Sequence, residues 1–89
     1  MNALNKHLRA LEELVDAASR GRIQPEEFVA GFRDTMGHIT LLTNHPSLDF
    51  QNADQCLTME LVAYERSPSP AGIGGIRREL ARYCRAACG

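Results

Sequence analysis

Tryptophan is absent from this 89-residue chain and aromatic side chains make up only 6% of it, so any interior has to be assembled mostly from Leu, Ile, Val, Met and Ala. No apolar run approaches the roughly 20 residues that a membrane-spanning helix needs, and no membrane partner is expected. The opening residues, Met1 to His7, lack the hydrophobic region of a secretory signal, so the expected location is cytoplasmic. Cys56, Cys84 and Cys88 are odd in number and show no framework spacing, which argues against a secreted disulfide scaffold. Positive charge is missing too, but only locally. Between Arg33 and Arg66 there is no lysine or arginine, while Asp34, Asp49, Asp54, Glu60 and Glu65 all fall there.

That middle segment is purely anionic and has the look of a docking surface for something basic. The flanks differ from it: residues 1–33 balance five basic against five acidic side chains, and residues 66–89 hold five arginines against Glu79 alone. A formal net charge of only -1 therefore hides a polarised molecule. With 44% apolar residues, the length fits one compact domain over 1–89. A core is buildable at this size but marginal, since about 60–65% of the unfolded surface is buried on folding.

Periodicity points to helices throughout. Leu4, Leu8, Leu11, Val15 and Ala18 recur at helical spacing, with Leu14 widening the stripe and Gly21 where a C-terminal cap belongs, which predicts a first helix over 3–20. Pro25 restarts the pattern at a first helical position, with Glu26 and Glu27 favoured by the helix dipole. Phe28, Phe32, Met36 or Thr35, and Ile39 carry the apolar face toward Leu42 until His45-Pro46 ends it. Residues 47–52 are expected to be a loop or short turn, followed by a third helix from Ala53 to Glu65 that is apolar nearly all round. Ala53, Leu57, Leu61 and Tyr64 share one of its faces. Met59 and Val62 lie on the far side, and Asp54, Thr58 and Glu65 line one flank with Glu60 on the other. Residues 67–72 read as a turn, and from Gly75 onward Ile76, Leu80, Tyr83 or Cys84, and Ala87 predict a fourth helix with Arg77, Arg78, Arg82 and Arg85 on its wet side. No strand-period alternation of useful length occurs. The expected fold is all-α, a compact antiparallel four-helix bundle.

Catalytic chemistry is not legible. His7, His38 and His45 stand in separate contexts with no spacing that pairs them to a Cys or Ser nucleophile, so the chain is not expected to be an enzyme. Cys84 and Cys88 share a helix face but lack the second close pair of a structural metal site, and no Glu-x-x-His motif is present; neither metal nor cofactor is expected. Arginines on the last helix are ordinarily a solvated cationic face that partly pairs with acidic neighbours; a small helical nucleic-acid-binding regulator or adaptor that uses them on phosphates is the alternative reading. Against it, the chain as a whole is not basic and its acidic middle repels a polyanion, so direct nucleic-acid contact is not expected.

Three stretches carry a resemblance: Leu11-x-x-Leu14 through Gly21-x-Ile23 to Glu27-Phe28, then Glu60 to Arg66, then Gly72-Ile73 ahead of a charged helix. Together they resemble the colicin D immunity protein family over residues 8–84. Residues 43–47 and 69–73 are also similar to immunity proteins of DNase colicins and pyocins, although helix three is long here where that group has a short turn bearing a tyrosine pair. The resemblance implies an immunity protein, from a bacteriocin or contact-dependent inhibition system, that blocks a cognate nuclease toxin, a tRNase above all. It further implies acids near the end of helix three standing in for tRNA phosphates in the toxin's cleft. Glu65 matches one such position, but the next turn offers Ser67 and Ser69 where that family carries carboxylates. The expected toxin-binding set is Asp49, Asp54, Thr58, Met59, Glu60 and Glu65, on a monomer facing a basic toxin domain.

Overall fold

The computed structural model describes residues 2–88 and is all-α: α1 (Ala3–Ser19), α2 (Pro25–Leu42), α3 (Leu48–Arg66) and α4 (Pro70–Cys88), with no strand among the described residues. The chain divides between Asn44 and His45 into two compact units, each a pair of contacting helices as in a helical bundle. No helix among the described residues is long and apolar enough to cross a membrane.

In the first unit the signals are local. Asn2 caps α1, its side chain accepting from the N–H of Asn5 at 2.8 Å. Gly21, at φ 71°, takes the left-handed conformation that ends the helix, and Pro25 opens α2 with Glu26 and Glu27 in its first turn. Leu8, Leu11 and Val15 of α1 and Phe28, Val29, Phe32, Met36 and Ile39 of α2 are buried. Antiparallel pairing is visible in the rings of His7, near the start of α1, and His38, near the end of α2, which stack with centroids 5.3 Å apart. The connection to α3 contains His45 at φ 54°, the one non-glycine residue with positive φ among those described, just ahead of Pro46.

The second unit departs from the sequence expectation at both helix starts. Residues 48–52, expected as loop, are the first turn of α3. Ser47 caps it, its Oγ accepting from the N–H of Phe50 at 3.1 Å, with Asp49 at the positive end of the helix dipole. Phe50 is buried, its ring 5.0 Å from that of Tyr83 near the end of α4, and this long-range contact is what extends the helix. α4 likewise begins at Pro70, not Gly75. Ser69 Oγ accepts from the N–H of Gly72 at 3.0 Å, and proline at the first position needs no donor. The core of this unit is Phe50, Ala53, Leu57, Leu61 and Tyr64 against Ile73, Ile76, Leu80 and Tyr83. Of the paired alternatives in the sequence, Met36 and Tyr83 are buried, while Thr35 and Cys84 are half-buried.

Candidate functional site

The outward face of α3 carries every residue expected to bind a toxin or lies beside it. Opposite the buried stripe, Leu48, Asn52, Gln55, Met59 and Ala63 are all exposed and fall on one strip, since successive members are three or four residues apart. The strip is about 22 Å long at 1.5 Å per residue and carries no charge. Two large apolar side chains stand on it, Leu48 at 71% and Met59 at 64% exposure. Leu41 of α2, at 81%, is more exposed still, so what marks the α3 strip is the rim of polar groups around its apolar side chains, the pattern of an interaction surface.

Acids border the strip on both sides. Asp49 and Glu60 lie along one edge; Asp54, Thr58 and Glu65 lie along the other. Their availability differs. Asp49 and Glu65 are exposed, in the first and last turns of the helix, and Thr58 is exposed between them. Glu60 is half-buried, its carboxylate laid against α4 where a β-carbon on Gly75 would come within 3.0 Å of Oε1. Asp54 is half-buried as well, and burial pushes its carboxyl above the usual value. Nearby Tyr83 is driven well above the ordinary phenol range, chiefly by its own burial and then by the charges of Asp54 and Cys84. Its hydroxyl is enclosed with no hydrogen-bond partner.

The expected set therefore separates into an outward group, Asp49, Thr58, Met59 and Glu65, and a withdrawn pair, Asp54 and Glu60. Leu48 belongs with the first group and was hidden in the sequence by the loop reading of residues 47–52. Its available signal was Ser47, a cap residue followed by an acid in the first turn.

A second feature of this unit is a cleft of about 500 Å³ lined by Ser47, Asp49, Arg82, Arg85 and Ala86, where the start of α3 faces the end of α4. Arg82 also points Nη1 at the Cys56 sulfur, 3.6 Å away. Among the described residues, no three His, Cys, Asp or Glu side chains are grouped so as to hold a metal ion. Comparison with family models, with curated proteins and with solved structures gives no match for this chain.

Proposed function

We propose that this protein is an immunity protein that docks the outward face of α3 on a basic nuclease toxin domain, covers its substrate cleft and keeps nucleic acid out. One observation carries the reading: an uncharged strip with two exposed apolar side chains, Leu48 and Met59, runs between acidic borders inside a segment that contains no lysine or arginine. A nuclease binds a polyanion and so lines its cleft with cations. Carboxylates held on a rigid helix are drawn to such a cleft by long-range attraction, and a desolvated apolar contact then slows departure. Inhibition on this account is steric and electrostatic and involves no bond making or breaking. The resemblance to the colicin D immunity family supports a tRNase as the toxin.

Within this reading, Asp49 and Glu65 steer from the two ends of the strip and Met59 anchors at its middle. Asp54 and Glu60 contribute field rather than direct pairing, because their carboxylates are drawn in toward α4. The test is titration calorimetry against a basic nuclease toxin domain, sought first in the neighbouring reading frame. Asp49→Lys with Glu65→Lys is expected to weaken binding by several kcal/mol, on the order of that found when charges at a complementary interface are reversed. Met59→Asp is expected to speed dissociation. Full protection of cells by both variants, with unaltered affinity, would remove α3 as the binding face.

A further inference from the structure

We propose that the exposed face of α4 is a docking ridge for the phosphate backbone of duplex nucleic acid, a role beyond the toxin binding assigned to α3. Arg78, Arg82 and Arg85 stand at i, i+4 and i+7, so they share one side of the helix, and all three are exposed. At 1.5 Å per residue they are spaced about 6 and 4.5 Å along the axis, close enough for each to meet a different phosphate of a duplex carrying one charge per about 1.7 Å.

A solvated arginine face usually pairs with its own acids. Here it does not: among the described residues, no carboxylate lies within ion-pair distance of Arg77, Arg78, Arg82 or Arg85. Glu79, the only acid on α4, is half-buried, with Oε2 enclosed and without a hydrogen-bond partner. Arg82 and Arg85 also wall the cleft at the start of α3, where Asp49 sets one negative charge against two guanidinium groups. The overall charge balance argued against nucleic acid, but locally the guanidinium groups outnumber the one carboxylate that faces them.

What else shares this face decides among polyanions. A helix that lies on a membrane buries an apolar face in the lipid. The apolar face of α4 is already buried, and the large exposed hydrophobic residues, Leu41, Leu42, Leu48 and Met59, belong to α2 and α3. Single strands are held by stacking bases on aromatic rings, yet all three phenylalanines and both tyrosines are buried. A duplex needs neither device. Contact through phosphates alone is sequence-independent and salt-sensitive.

Fluorescence anisotropy with a labelled mixed-sequence DNA duplex tests this on the full chain, between about 50 and 200 mM salt. Three phosphate contacts give an expected slope of log affinity against log salt of about -3. Arg78→Gln and Arg85→Gln are each expected to reduce it by about one, and the combined Arg78→Gln, Arg82→Gln, Arg85→Gln variant is expected to lose binding. Arg20→Gln with Arg22→Gln, at the turn of the first unit, is expected to bind as wild type does. Circular dichroism reports whether each variant keeps its helices, and the single variants decide if the triple one does not. Absence of duplex binding at the lowest salt, or binding indifferent to the ridge variants, overturns the proposal. So does ridge-dependent capture by anionic lipid vesicles without any by the duplex, which would make the partner a membrane surface.

Discussion

Glu60 rests its carboxylate on the bare backbone of Gly75, so closely that a methyl group there would come within 3.0 Å of Oε1 and 3.2 Å of the carboxyl carbon. The contact joins the middle of α3 to the early part of α4 and explains why a buried glycine is accepted inside a helix. It also draws one of the expected toxin-binding carboxylates partly out of solvent.

Gly75→Ala tests that relationship. The new methyl meets only the far end of a flexible side chain, which can swing into solvent, while alanine gains about 1 kcal/mol of helix propensity over glycine. Urea unfolding is expected to show stability unchanged or raised by up to about 1 kcal/mol. A clear loss would mean that Glu60 is held in place by more than its contact with the backbone.

Tyr83→Phe removes an enclosed hydroxyl that has no hydrogen-bond partner and leaves the ring against Phe50. Thermal unfolding is expected to show stability unchanged or raised by about 1 kcal/mol. Tyr83→Ala, which empties the ring's place in the core, is expected to cost about 3–5 kcal/mol. A comparable loss from the phenylalanine variant would reveal a partner for the hydroxyl.

Asp54 gives the protein a pH dependence of defined sign. Burial raises its carboxyl from 3.8, so the folded state holds this proton more tightly than the unfolded chain does. Ionisation therefore opposes folding. The penalty is absent at pH values below the unfolded value, grows as pH rises toward the folded value, and is complete above it. Asp54→Asn is expected to be more stable than wild type at pH 7, by a fraction of a kcal/mol because solvent screens a half-exposed group, and so to melt at a slightly higher temperature. The advantage should vanish near about pH 3, below the ordinary carboxylate value. Melting curves at both pH values check it, and an advantage that persists in acid would point to packing instead of charge.

Ser47→Ala removes the side-chain cap of α3, and an expected loss of about 1 kcal/mol in urea unfolding follows. Ser47→Asp keeps an acceptor at the same place and should restore most of it. No effect from alanine would show that Phe50 alone holds the first turn.

The first unit was legible because its punctuation is local. Gly21, Pro25 and the period of Leu8, Leu11, Val15, Phe28, Phe32 and Ile39 state where the chain turns and which side is buried, whatever the rest does. The second unit was less so. Pro68, Pro70 and Gly72 read as a turn, with Gly74 and Gly75 weakening the next start, yet only Pro68 precedes the helix, since Pro70 sits where a missing donor costs nothing. Phe50 looked like part of a loop because its partner, Tyr83, is 33 positions away.

By itself the sequence determined four helices and the confinement of charge, acid in the middle and arginine at the end, because periodicity and composition are properties of neighbours along the chain. Tertiary structure alone decided how exposed each charge is. Asp49 and Glu65 are exposed while Glu60 lies on Gly75 and Asp54 is partly desolvated, and Glu79 is half-buried with one carboxylate oxygen enclosed. The reason is physical: a carboxylate's reach and ionisation depend on what packs against it, and those contacts come from residues far off in sequence.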